Sequence, residues 1–283
     1  MAALPIAAAI ASAALMYFLA ARIFANAGYA IVALGVFAST PLLWLQAQTA
    51  PGSLYPLPFV VAWLLALARF QSTRAAWWLV AAGVVLGLGV YTSIAAAVMM
   101  PAYLLVTVAV LAYSQAASIP QLTAFVGAFG VTALPFAAGM ALHPEVFRAT
   151  IKAHRLYDAD RFNILQGARE MASWVGLTAR SEVYWDYFNP AFLFLTGGVL
   201  LLPLVVLIPI GLYRAAAKES SPLARIVIAG FFAAPLAASL TAEPPTPGRI
   251  LFVTPFAAIV STYGVAEIAV WVSRKKGSAP RNR

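Results

Sequence analysis

The sequence predicts an all-α protein: a polytopic transmembrane helix bundle of about nine spans, with a small helical extracytoplasmic segment. Three observations carry that expectation. The 283 residues are 63% hydrophobic and only 10% charged, with a mean hydropathy of +0.88, whereas a soluble domain is nearer half apolar and a quarter charged. Apolar runs long enough to cross about 30 Å of hydrocarbon as a helix recur along the chain. Lysine and arginine collect in alternate short loops between those runs.

Broken at Pro, Gly and charge, the runs place spans near 4–20, 29–46, 55–69, 76–91, 96–113, 122–142, 190–213, 223–241 and 250–272. Residues 1–142 thus hold six spans, 143–189 form a polar outer loop, and 190–283 hold three spans and a basic tail. Met1 to Leu19 has the alanine-rich core of a signal peptide, with small residues at Ala20-Ala21. It lacks a basic start, and Arg22 follows the run instead of preceding it, so it reads as a span. Nine crossings put Arg22, then Arg69 and Arg74, then Arg214, Lys218 and Arg225, then Arg274, Lys275 and Lys276 on one side. That side is cytoplasmic by the positive-inside rule, with the N-terminus outside and the C-terminus inside a plasma (inner) membrane. Asn189-Pro190, Ser221-Pro222 and Thr246-Pro247 each pair an N-cap residue type with Pro at the first helical position.

The remaining composition narrows function by exclusion. There is no cysteine, hence no disulfide framework or thiol chemistry. The net charge of +9 sits mostly at span ends, where it marks topology and meets lipid headgroups; it points to a bilayer partner and not to nucleic acid. Glu267 is the only acid inside a predicted span, which argues against ion-coupled transport.

The interval 143–189 holds six of the nine acids (Glu145, Asp158, Asp160, Glu170, Glu182, Asp186) and both histidines, His143 and His154. Pro144 and Glu145 suit a first helical turn. Arg148, Lys152 and Arg155 then share one helix face, either as an anion-binding stripe for a lipid phosphate or as cations snorkelling to headgroups. Asp158 and Asp160 read as caps of a helix from Arg161 through Trp174, with a metal-binding or general-base role as the alternative. His154 has no second histidine at metal-ligand spacing and reads as a surface residue. Tyr184, Trp185 and Tyr187 form an interfacial aromatic belt or a surface that stacks on sugar rings, with Asp186 beside it.

Tyr184 to Gly198, YWDYFNPAFLFLTGG, resembles the Y-x-x-[HY]-F-[SN]-P-x-F-L-F-x-x-G segment of the C-type polyprenyl-phosphate-sugar-dependent membrane glycosyltransferases. The branch is the one like protein O-mannosyltransferases and lipid A aminoarabinose transferases. Three further places agree in order: Leu4-Pro5 with Tyr17 to Phe24, Gly87 to Thr92 followed by Pro101, and Pro247-Gly248-Arg249-Ile250 with Pro255 and Gly264.

The resemblance implies transfer of a sugar from a polyprenyl phosphate to an acceptor on the outer face. An acid serves as base on the acceptor hydroxyl, and an Arg or a divalent metal serves the leaving phosphate. It points to Arg249 for the lipid phosphate, to which the Arg148, Lys152 and Arg155 face is added, and Tyr91, Tyr184, Trp185 and Tyr187 are the candidates for sugar or acceptor. The family's catalytic Asp lies in an outer loop before the helix at which this chain begins, so a preceding span and loop are expected and the chain alone is expected to be inactive. Asp158, Asp160 and Asp186 are the fallback acids. Arginines of the family pattern are replaced at Ala95-Ala96-Ala97-Val98 and near Gln48 to Pro51. The alternative reading is a non-catalytic membrane subunit or transporter that binds a lipid-linked glycan.

Overall fold

The computed structural model describes residues 3–153, 157–158, 163–219, 221–241 and 243–277, and among them there is no strand. The first half runs through α1 (Ala3–Phe24), α2 (Ala27–Ala38), α3 (Pro41–Thr49), α4 (Leu57–Thr73), α5 (Ala76–Gly89), α6 (Ile94–Tyr113) and α7 (Ile119–Leu142). The polar segment after α7 contributes α8 (Pro144–Ala153), α9 (Ile164–Met171) and α10 (Trp174–Asp186), and the last third α11 (Leu204–Ala217), α12 (Pro222–Ala233), α13 (Leu236–Ser239) and α14 (Val253–Gly277).

Among the described residues, six stretches are long and apolar enough to cross a membrane: Leu4–Phe24, Gly52–Thr73, Ile94–Tyr113, Ile119–Leu142, Pro222–Ser239 and Val253–Arg274. A seventh results if α2 and α3, bent by 43°, count as one span. The bend follows from Thr40-Pro41: Thr40 is extended, and Pro41 has no N–H to continue the ladder. The helical core of an integral membrane protein is thus present, but two of the nine predicted spans are short. α5 and α11 have 14 residues each, about 21 Å at 1.5 Å per residue.

The predicted span at 190–213 also breaks in two. Asn189-Pro190 leads into a single π-helical turn, Phe192–Thr196, which ends at Gly197. Gly198 then takes a left-handed φ of 55° that few other residues adopt, and helix resumes only after Pro203. The outer helix expected over Arg161 to Trp174 is shorter too. α9 begins at Ile164, where Asn163 and Gln166 bond reciprocally: Gln166 N–H to Asn163 Oδ1 at 2.9 Å, and Asn163 N–H to Gln166 Oε1 at 3.1 Å. Asn163 therefore takes the capping part expected of the Asp pair. Ser173 caps the next helix, accepting from the Gly176 N–H at 3.1 Å.

α14 is the axis. Residues 251–264 are buried without interruption, as expected for a helix apolar all round. It packs on α2, α11 and α12. The approach to α11 depends on Gly211, where an added Cβ would lie 1.8 Å from the Val260 carbonyl oxygen; small residues let membrane helices meet backbone to backbone. Trp63 of α4 stacks on Tyr103 of α6 at 5.0 Å, and Phe256 of α14 packs on Tyr103 at 5.5 Å. α7 packs mainly on α5 and leaves most of its length exposed. There Tyr91 spans the turn that holds Pro135, donating to the Thr132 carbonyl at 2.8 Å and accepting from the Phe136 N–H at 3.1 Å.

The two ends of the bundle differ in chemistry. At one, Arg22 donates to the Ser72 hydroxyl, Arg74 bonds the Ala116 carbonyl at 2.7 Å, and Arg225 lies 5.8 Å from the Tyr113 ring. Arg214 and Lys218 pair there with Glu267, and Arg214 also faces Glu219 at 3.6 Å. Glu267 is thus neutralised near the basic end of α14. The opposite end holds α10 and the loop between α13 and α14.

Candidate functional site: a cavity beneath Arg249

A cavity of about 370 Å³ opens at the end opposite the basic loops. Its walls are the start of α6 (Ser93, Ile94, Ala95, Val98), the α13 region (Ala237, Ala238, Leu240, Thr241), the segment Gly248, Arg249, Leu251 and Phe252, and Ser53. Most of that lining is apolar, with a few polar groups converging, which is the usual make-up of a small-molecule site. Ser93 caps α6, accepting from the Ala96 N–H at 3.1 Å. The first N–H groups of this 20-residue helix, at its positive dipole end, border the space.

Arg249 supplies the charge. Thr246-Pro247 starts not α14, as predicted, but a 3-10 turn, Pro247–Ile250, two residues ahead of it. The turn fixes the Arg249 backbone, whose N–H reaches the Thr246 carbonyl at 3.1 Å. Gly248 rests against Gln46, where an added Cβ would come within 2.9 Å of the amide atoms. Gln46 is buried and accepts from the Ser53 hydroxyl at 3.1 Å. The guanidinium is already engaged: Nη1 donates to Thr241 Oγ1 at 2.8 Å and Nη2 to Glu243 Oε2 at 2.5 Å. An incoming anion therefore competes with Glu243 for Arg249.

α10 braces this wall from outside. Arg180 Nε donates to the Leu240 carbonyl at 3.0 Å, the Tyr184 hydroxyl donates to the Phe232 carbonyl at 2.7 Å, and the Tyr187 hydroxyl accepts from the Thr246 N–H at 3.3 Å. Burial lowers the Arg180 pKa, opposed by Glu170, yet an arginine stays protonated. Burial raises the Tyr184 phenol and, against the pull of the Thr246 N–H and Arg249, the Tyr187 phenol. Both act here as neutral hydroxyls.

The predicted site residues divide accordingly. Arg249 lines the cavity. Tyr187 is fully buried beside it, with no open ring face for stacking on a sugar. Tyr184 is half-buried and tied to α12, while Trp185 is exposed. Tyr91, half exposed, is committed to α7. Asp186 is exposed at the last turn of α10 and does not line the cavity, nor does exposed Asp158. Lys152 is exposed on α8, far along the chain from the cavity lining; the Arg148 side chain, Arg155, Asp160 and His154 lie outside the described residues.

Among the described residues, no three His, Asp or Glu side chains gather as a metal site. The carboxylate beside Arg249 is Glu243, and a single carboxylate held by a guanidinium does not suit a divalent cation that takes six or more oxygens. Sequence reasoning passed over Glu243, Thr241, Gln46, Ser53 and Arg180. Glu243 lies six residues before Arg249, across Pro244-Pro245-Thr246-Pro247, and no helical or strand period pairs the two, so the sequence carried no signal for it. No family model matches the chain, and no curated protein matches it.

Proposed function

We propose that the protein is a membrane glycosyltransferase-like protein that receives a polyprenyl-phosphate-linked sugar in the Arg249 cavity, on the outer face. The observation that carries this reading is one planar cation at an otherwise largely apolar cavity, beside the unpaired N–H groups at the start of α6. A phosphate there gains a bidentate partner and a favourable dipole, and a prenyl chain finds apolar walls. The order of motifs from Leu4-Pro5 to Pro247-Gly248-Arg249 points the same way. The orientation belongs to the same proposal: nine passages of the chain, a cytoplasmic basic end and an outer cavity, supported by the gathering of Arg22, Arg74, Arg214 and Arg225 at one end.

Within this reading, Arg249 stabilises charge on the phosphate and the start of α6 adds its dipole. Arg180, Tyr184 and Tyr187 position the wall. A specific observation favours the non-catalytic variant of the function, a subunit that binds the lipid-linked glycan: the carboxylate at the cavity, Glu243, is held by Arg249, and neither Asp158 nor Asp186 reaches the space. A polyprenyl-phosphate sugar incubated with purified protein and acceptor lipid separates the two. Retention of intact donor supports binding alone; released polyprenyl phosphate with glycosylated acceptor supports transfer. Absence of any donor binding refutes both.

A further inference from the structure

A second cavity, of about 240 Å³, lies at the basic end of the bundle. It sits between the last turns of α1 and α4, the α11–α12 turn and α14, and Arg22, Gln71, Ser72, Glu219, Ser221 and Tyr263 border it. None of these residues takes part in the Arg249 cavity.

Both signs of charge meet here. Arg22 uses one guanidinium N–H on the Ser72 hydroxyl and has further donors to offer. Glu219 faces Arg214 at 3.6 Å, beyond hydrogen-bond length, so its oxygens keep room to accept. Ser221 accepts from the Ala224 N–H at 3.1 Å, which leaves its own proton to donate. Tyr263 is 4% exposed, its ring held by Phe24 at 4.8 Å. Its hydroxyl lies in electrostatic reach of Glu219 and Arg214, but has no hydrogen-bond partner among the described residues. Tyr263 borders the cavity, so its O–H is placed to donate to a ligand oxygen there.

A purely anionic ligand would meet Glu219, and a purely cationic one would meet Arg22. A phosphate with a primary ammonium two carbons away satisfies both. The cavity also lies at the ends of the apolar stretches Leu4–Phe24, Gly52–Thr73 and Pro222–Ser239, the level at which headgroups lie. We propose that this cavity binds the phosphoethanolamine headgroup of a membrane lipid, with the phosphate at Arg22, Ser221 and Tyr263 and the ammonium at Glu219.

The test titrates the full chain in detergent with phosphatidylethanolamine, phosphatidylcholine and phosphatidylglycerol of matched acyl chains, read by native mass spectrometry. Soluble phosphoethanolamine is titrated in parallel. Phosphatidylethanolamine should bind about tenfold more tightly than phosphatidylcholine, whose quaternary nitrogen cannot donate to Glu219. Glu219→Gln should erase that preference without weakening phosphatidylglycerol. Tyr263→Phe should weaken phosphatidylethanolamine by roughly threefold or more. Should Tyr263→Phe fail to fold, Glu219→Gln, at a surface turn, carries the test. Equal binding of the ethanolamine and choline lipids, or a preference that survives Glu219→Gln, overturns the proposal. If soluble phosphoethanolamine binds as tightly as the lipid, the lipid assignment is overturned.

Discussion

Glu243→Gln removes the negative charge that holds Arg249 while leaving an amide oxygen of the same reach. The two side chains are 34% and 31% exposed, so the pair belongs with partly solvated ion pairs, worth about 0.5–1 kcal/mol. A phosphate that takes Arg249 must displace the carboxylate, so the wild type forfeits that much of its binding free energy. The substitution should therefore tighten polyprenyl phosphate binding about two- to fivefold, since about 1.4 kcal/mol is a factor of ten. Glu243→Ala should act in the same direction.

The assay is a titration of purified protein in detergent, followed by intrinsic tryptophan fluorescence at two salt concentrations. The gain should shrink as salt rises, because a partly exposed pair is screened. A thermal melt checks that the variant remains folded. Unchanged or weaker affinity in a folded Glu243→Gln protein would refute the competition between Glu243 and phosphate for one guanidinium.

Three other predictions concern the frame around the site. Gly211→Val should destabilise the bundle by roughly 1–3 kcal/mol, seen as a lower melting temperature in detergent, because even one added carbon would lie 1.8 Å from the Val260 carbonyl oxygen. Tyr187→Phe should cost about 1 kcal/mol by leaving the Thr246 N–H without its acceptor. It should also flatten the alkaline loss of stability. Burial raises the Tyr187 pKa above 10.0, so this contribution is complete below pH 10.0 and fades as pH climbs past it and the unfolded chain sheds its proton first. The chain has no cysteine, so single cysteines at Arg74 and Glu145 report topology directly. A membrane-impermeant maleimide should reach Glu145→Cys from outside and Arg74→Cys only after lysis.

Much of this architecture was legible because hydrocarbon imposes a blunt code: long apolar runs, Pro and Gly breaks, and cations at alternate ends. The stretches that became α1, α4, α6, α7 and α14 read clearly. The break at 197–203 did not, because Gly197-Gly198 and Pro203 sit in an apolar run whose hydropathy hides the backbone geometry. The aromatic segment was visible as composition, yet its division into buried Tyr187, tied Tyr184 and exposed Trp185 depends on which face of α10 meets the 240–250 loop. Arg249 stood out because cations are rare in that loop. Its partner Glu243 did not, since their pairing is a matter of loop geometry and not of periodicity. The α9 cap went to Asn163 because a reciprocal pair with Gln166 satisfies two backbone donors at once.

The proposed function rests on Arg249 holding a phosphate in two-pronged fashion, and affinity for polyprenyl phosphate in detergent, free of bilayer headgroups, tests it most directly. Arg249→Lys keeps the charge but loses the planar fork; Arg249→Ala loses both. The account predicts that binding weakens about tenfold or more in Arg249→Lys and further in Arg249→Ala, with both proteins still folded. Wild-type affinity in both variants would contradict it.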